Sequence, residues 1–576
     1  MEPYRPGEAE REFYYLGLFD PPKLIARTSG TPWSLVEGPD TAERYPPRKS
    51  FRAIIQHEIL VRWSESVRSN IIRALDGCNW RCFYPIRIGS RDRDAQPPVV
   101  HYPVVLMVTV DEIDMEWESA IEIALACREV LRTAGILDVE VELLQATVTK
   151  LAESRKLIEG KVNREHWRCD DDPFNMAANI NEAMLAVHSS LGYHISQAPR
   201  GAEGTMGLHL QLDGDKSKTY GLTNRHVAIA GKEKDVMDYK MQDGDQCHLQ
   251  LAVPLSALEQ CQEKLGEARR VVEYFLKPLQ LKIDEFRASK RDEKKANNYR
   301  SLLQYADSLK KAVDEVYTAR DTGLSERTLG HVAFSPTLAS CSNSNAGFSR
   351  DWALVELSAS QFNDEPENKV YIGNEGVNRS AKGIPSLPDK GECLLKYMDD
   401  YGFLPIQGTR PWAREQRQAF RVGKRGRTSG LTFGLVGEIE AILRTPMAAE
   451  EAKISWAYLV VAYTTDIERM TGQWAPFSQP GDSGSCVFDH SGRVVGILDG
   501  GQKSVEVQRF GKHYQGVSST LPPKDSITSS TTKVYTDFEK LYGKEGKGAV
   551  DITFVTPIDW ILDDIREFTG YTANII

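Results

Sequence analysis

The chain has 576 residues, 41% hydrophobic and 26% charged, with a net charge of −10. That length accommodates two to four domains with sizeable cores, and the composition is globular rather than disordered. The acidic balance argues against a general affinity for DNA or RNA, and an apolar run such as Val104–Val110 is far too short to cross a bilayer.

Residues 1–50 are rich in Pro and Gly, lack sustained periodicity and read as an extended arm. The start, Met1-Glu2-Pro3-Tyr4-Arg5-Pro6-Gly7-Glu8, has no basic opening followed by an apolar stretch, so a secretory signal is not expected. Nine scattered cysteines, an odd number, fit reduced thiols better than a disulfide framework. The expected location is therefore cytoplasmic or nuclear, not secreted. Cys78, Cys82, His166 and Cys169 have imperfect spacing for metal ligands and read as structural residues. No metal and no cofactor is expected.

From Phe51 the pattern changes. Phe51 to Leu75 has mostly helical spacing, Cys82 to Ile88 alternates like a strand, and Pro103 to Val110 reads as a buried strand. Trp117 to Thr133 is a predicted helix and Val139 to Val148 another strand, so residues 51–160 form a small α/β domain around a βαβ unit, suited to docking or regulation. Residues 161–200 contain a connecting helix, with Met176, Ile180, Met184, Val187 and Leu191 on one stripe. From Gly201 short strands and Gly-rich turns suggest a β-barrel protein through to residue 576. One interruption, at about 255–320, carries apolar residues every three or four positions on both sides of a charged stretch, and predicts an inserted antiparallel helical hairpin, coiled-coil-like, kinked at Pro278.

Three short segments carry chemistry. A serine hydroxyl needs a base to take its proton, a carboxylate to orient that base, and amide donors for the oxyanion. Gly221-Leu222-Thr223-Asn224-Arg225-His226 would place His226 where a strand meets a loop. Arg350-Asp351-Trp352-Ala353-Leu354 sets Asp351 at the start of an apolar strand, where an unpaired carboxylate would be costly. In Gln479-Pro480-Gly481-Asp482-Ser483-Gly484-Ser485, small residues allow a tight turn that aims the amides of Gly481 and Ser483 at one point.

In the order His, Asp, Ser, these segments resemble the chymotrypsin/trypsin-like serine proteases, whose motifs are Thr-Ala-Ala-His, Asp-Ile-Ala-Leu and Gly-Asp-Ser-Gly. Gly426 to Val436 looks like a strand of the bacterial members, and Asp551 to Ile561 is similar to their last strand and C-terminal helix. In that helix Thr556 can cap, Pro557 fits the first turn, and Ile558, Ile561, Leu562, Ile565 and Phe568 form one apolar face. The likeness covers about 200–250 and 325–575. It implies a double β-barrel protease domain over 201–576, with the inserted hairpin. His226, Asp351 and Ser483 would be its catalytic triad, Gly481 and Ser483 its oxyanion hole, and an acyl-enzyme its intermediate.

Three departures from the family pattern matter. No activation sequence of the Arg-Ile-Val-Gly-Gly kind precedes Gly207, so either Asp482 has another partner or the oxyanion hole stays unformed until something binds. Phe477 stands where the family places its S1 base and Gly500 and Gly501 where the S1 wall lies, which points to an apolar P1 residue and an open entrance. Asp499 occupies a position usually held by Ser; there a second carboxylate either raises the imidazole pKa or disturbs its geometry, or else points outward. The function implied is an intracellular serine endopeptidase acting on protein or peptide substrates, with neither nucleic acid nor membrane as partner and a regulatory partner at the N-terminal domain or the hairpin. Two alternatives stay open: a catalytically silent peptide-binding scaffold, and a protease that cuts its own chain.

Overall fold

A computed structural model describes the chain apart from residues 152–189, 267–322 and 505–549, shorter stretches at 93–98, 112–114, 230–236, 242–248, 339–346, 378–393, 412–418, 447–451 and 463–475, and a few isolated positions. The expected connecting helix before Ser190 and nearly all of the hairpin lie outside the described residues, although 255–263 are helical.

Alternation along the strand Val104–Val110 organises the N-terminal part. All seven residues are buried, so the strand is covered on both faces. Val104, Leu106, Val108 and Val110 pack with the helix Trp117–Thr133 through Ala120, Ala124, Cys127 and Leu131. Val105 and Met107 face the other way, into a cluster with Tyr84, Ala441, Leu459 and Phe554. The strand, helix and following strand Glu140–Lys150 form the expected βαβ unit, in parallel register with Val105 opposite Glu140. The helical spacing before it becomes Glu58–Arg62, a π-helical turn Trp63–Val67 and Arg68–Ala74.

The arm at 1–50 is more ordered than its composition suggests. It contains a helix, Glu8–Phe13, and a strand, Lys23–Arg27, antiparallel to Glu140–Lys150. Tyr14 and Tyr15 donate hydrogen bonds to the two oxygens of Glu142, at 2.6 and 2.7 Å. Those long-range bonds, invisible in composition, hold the arm down.

The N-terminal unit does not end at its own sheet edge. Trp80–Asp92 pairs with Gly430–Thr445, and Ala146 to Lys150 pair with Val494–Ser504. Twelve described strands thus form one sheet. Within it, Phe420–Gly426, Gly430–Thr445, Lys453–Ala462, Ile552–Pro557, Val494–Ser504 and Cys486–Asp489 pair in a closed ring. Val422, Val436, Val460, Val487 and Leu498 share its buried core.

A second sheet of nine described strands is centred on Leu208–Leu212, Asp215–Thr223, Ala353–Leu357 and Thr328–Ser335. It is an open path, so the molecule is mostly β with large sheets but not a pair of closed barrels. One terminal strand, Glu203–Thr205, spends an amide elsewhere: Thr205 N–H donates to the carbonyl of Ser483 at 2.8 Å. The C-terminal helix runs Ile558–Thr569, with Gly570 left-handed after it. Its buried face holds Ile558, Ile561, Ile565 and Phe568 as expected, together with Asp564. Thr556 does not cap it; the hydroxyl donates to Asp499 Oδ2 at 3.3 Å instead. No described helix is long and apolar enough to cross a membrane.

Candidate active site

Both sheets contribute to one cleft. The strand Asp215–Thr223 ends at Asn224, and one helical turn, Arg225–Ala228, carries His226. The Arg225 guanidinium fixes that turn from beneath, donating to the carbonyls of Ser335, Pro336 and Met237 at 2.8–3.0 Å. Asp351 precedes Ala353–Leu357, and both its neighbours are anchored on the C-terminal helix. Arg350 Nε and Trp352 Nε1 donate to the buried Asp564 Oδ2 at 3.0 and 2.7 Å.

These supports converge. His226 N–H donates to Asp351 Oδ1 at 3.0 Å, His226 Nδ1 lies 2.7 Å from Asp351 Oδ2, and Nε2 lies 2.9 Å from Ser483 Oγ. Residues 125 and 257 positions apart in the chain therefore form one hydrogen-bonded line from carboxylate to hydroxyl. With Nδ1–H held by the carboxylate, Nε2 is the free acceptor for the serine proton.

The loop that presents Ser483 depends on glycine. Gly481 and Gly484 have φ of +100° and +92°, values that side chains disfavour. A Cβ on Gly481 would sit 2.2 Å from Thr428 Oγ1, and one on Gly484 2.2 Å from the Thr205 carbonyl oxygen. Between them, Asp482 turns inward. Its Oδ2 accepts from Lys424 Nζ at 2.9 Å, with both side chains fully buried, and from Ser429 Oγ at 2.6 Å and Gln479 N–H at 2.9 Å. Oδ1 accepts from the amides of Thr428 and Ser429 at 2.9 and 3.1 Å. An internal lysine thus partners the carboxylate for which the sequence offered no new N-terminus.

Gly481 and Ser483 aim their amides at one point, and that point is filled. Both donate to the backbone carbonyl of Leu151, at 2.5 and 3.4 Å. The Leu151 side chain is fully buried in an apolar cluster that includes Phe477. Gly500 and Gly501 stand opposite Lys150 and Thr149 in antiparallel register, so the entrance expected to be open is lined by the chain's own strand.

Asp499 points into the cleft. Lys150 Nζ bridges Asp351 Oδ2 and Asp499 Oδ1 at 2.6 and 3.1 Å, and Asn224 Nδ2 lies 3.5 Å from the same Asp499 oxygen. Burial raises the Asp499 pKa to about 6, partly offset by the Lys150 charge. Asp351, equally buried, is held well below the carboxylate range because the charges of His226 and Lys150 outweigh desolvation. Burial lowers the Lys150 pKa, but the two carboxylates more than reverse this and keep the ammonium charged. His226, Asp351 and Asp499 are close enough to ligate a cation; the lysine already supplies the positive charge there.

Cys78 and Cys82 are buried and in no disulfide, while His166 and Cys169 lie outside the described residues. Lys424, Asn224, Arg225, Lys150, Leu151 and Asp564 were not singled out by sequence reasoning. A polar residue beside a motif hinted at Asn224 and Arg225; the other four have no local signal. A scan against protein-family models finds none that matches the chain, and no match appears among curated proteins.

Proposed function

We propose that this protein is a serine endopeptidase of the chymotrypsin-like kind, with Ser483 as nucleophile, His226 as general base and Asp351 as its orienting carboxylate. The observation that carries the reading is the unbroken line Asp351–His226–Ser483, at 2.7 and 2.9 Å, ending beside two amides that already hold a carbonyl oxygen. Binding alone requires no such alignment, which speaks against a silent scaffold.

The geometry supports a defined sequence of steps. Ser483 Oγ attacks the carbonyl carbon of a peptide bond while its proton passes to His226 Nε2. The oxyanion rests on the amides of Gly481 and Ser483, whose donors are set in advance. Asp351 stabilises the imidazolium through Nδ1–H. The imidazolium then protonates the leaving amine, the C–N bond breaks, and water hydrolyses the acyl-enzyme by the reverse proton route. The Lys424–Asp482 pair holds the loop in the shape these donors need.

Labelling with a fluorophosphonate, with the site mapped by mass spectrometry, tests the reading. Label is expected on Ser483, and none on the Ser483→Ala chain. Because Leu151 fills the amide site, a Leu151→Ala chain is included to loosen the occupant. Failure of both the unmodified and the Leu151→Ala chains to take label would overturn the assignment.

A further inference from the structure

The segment lying in the cleft has the form of a substrate. Ala146 to Lys150 run antiparallel to Ser504 to Gly500, the ladder an extended peptide makes when it adds a strand to a sheet edge. The chain continues to Leu151, whose carbonyl oxygen takes both oxyanion amides. Its side chain enters the buried cluster with Phe477, Val422, Val460, Leu498 and Val550. One residue earlier, Lys150 reaches Asp351 and Asp499. A carbonyl on both amide donors, a buried apolar side chain at that residue and a strand leading into it are the three marks of a peptide bound for acylation.

We propose that the chain is its own substrate, and that the bond it cuts is the peptide bond between Leu151 and Ala152. The proposal rests on the serine endopeptidase reading and deepens it. Leu151 is then the P1 residue and Lys150 the P2 residue, recognised by the carboxylate of Asp499. In the first step the Ser483 Oγ–C bond to Leu151 forms, the bond to the Ala152 nitrogen breaks, and the serine proton reaches that nitrogen through His226. In the second, water adds to the acyl carbon, releases Ser483 with its proton and leaves Leu151 as a C-terminal carboxylate. No other co-reactant is required.

Sheet pairing keeps the two products together. The fragment ending at Leu151 stays attached, because Ala146 to Lys150 pair with Gly500 to Ser504 and Trp80–Asp92 pairs with Gly430–Thr445. Further ties hold it: Tyr84 OH donates to Gln502 Oε1 at 2.5 Å, and Ser504 N–H donates to Asp20 Oδ2 at 2.7 Å. The new carboxylate remains in the cleft as product, so the reaction is self-limiting.

Intact-mass measurement of the full-length chain after purification, beside Ser483→Ala and Ala152→Pro chains, tests the proposal. The unmodified chain is expected as two fragments, 1–151 and 152–576, that co-elute under native conditions and separate in denaturant. Ser483→Ala is expected as one chain. Ala152→Pro keeps Thr149 to Leu151 unchanged but makes the leaving nitrogen a ring nitrogen, and is also expected intact. An unmodified chain that stays whole, or is cut elsewhere, overturns the proposal. If such a chain still takes fluorophosphonate on Ser483, directly or as Leu151→Ala, the endopeptidase reading survives and the segment is an uncut inhibitor. If neither chain labels, both readings fall.

Discussion

Lys424 Nζ and Asp482 Oδ2 meet at 2.9 Å with no solvent exposure on either side chain. Removing one partner of such a pair costs about 3–5 kcal/mol because a buried charge is stranded. Lys424→Met is therefore expected to lower the urea midpoint sharply and to abolish labelling of Ser483. Adding Asp482→Asn to Lys424→Met should restore part of the stability but not the labelling, since the loop loses its anchor. A double-mutant cycle in urea, with stability and labelling read separately, checks this.

Gly481→Ala attacks the amide geometry directly. The new methyl would meet Thr428 Oγ1 at 2.2 Å on a backbone with φ of +100°. Loss of one oxyanion donor costs roughly 10²–10³ in rate. The expected result is that fall in the rate at which Ser483 is labelled, with His226 and Asp351 untouched. A rate within threefold of the unmodified chain would count against the oxyanion role.

Asp564 acts on Asp351 from the C-terminal helix. It accepts from both Arg350 and Trp352, so Asp564→Ala leaves a buried guanidinium and a buried indole N–H without that acceptor. A loss of about 3–5 kcal/mol in stability is expected. Asp564→Asn, which keeps an acceptor oxygen, should recover most of the labelling rate if the role is positional. Thermal unfolding and labelling kinetics of the two variants separate these effects.

The buried carboxylates predict a pH signature. Asp499 keeps its proton in the folded state up to about pH 6, whereas an unfolded aspartate releases it near pH 4. Between those values the folded state binds more protons, so this group makes stability fall as pH rises, levelling off above about 6. Asp351, held low, does the opposite: its contribution is present above the unfolded value and is lost as pH falls further. Urea midpoints from pH 4 to 7, in a Ser483→Ala background to prevent processing, should show the falling part vanish in Asp499→Asn.

Subsite preference provides another test. With Asp499 facing Lys150 at 3.1 Å, peptides bearing Lys before a P1 Leu should be cut faster than peptides bearing Ala there. One lost charge contact of about 1.4 kcal/mol corresponds to about tenfold. The preference is expected to shrink by about that factor in Asp499→Asn while the P1 preference stays. Chains with the cleft segment loosened by Leu151→Ala are the material for the assay.

Much of this molecule is written locally. The Gly-Asp-Ser-Gly run at 481–484 needs its glycines because of backbone angles and close approaches around a single tight turn, so the motif is readable without a fold. The βαβ unit at 104–150 and the C-terminal helix are likewise readable, since alternation by two or by three and four states which faces are buried. The same local order named His226, Asp351 and Ser483, whose neighbours each resemble one family pattern.

Tertiary structure alone decided the rest. Nothing near Lys424 marks it as the buried partner of Asp482, 58 positions on, and nothing near Lys150 or Leu151 marks them as occupants of a cleft completed 349 positions later. Lysine is ordinarily a surface residue, and a local pattern carries no information about a distant carboxylate. Pairing of Ala146–Lys150 with Gly500–Ser504 sets the register, and register decides which side chain meets the carboxylates and which carbonyl meets the amides. The arm's attachment through Glu142 and the open second sheet have the same origin: both depend on which edges find partners, a property of the assembled sheets rather than of any segment.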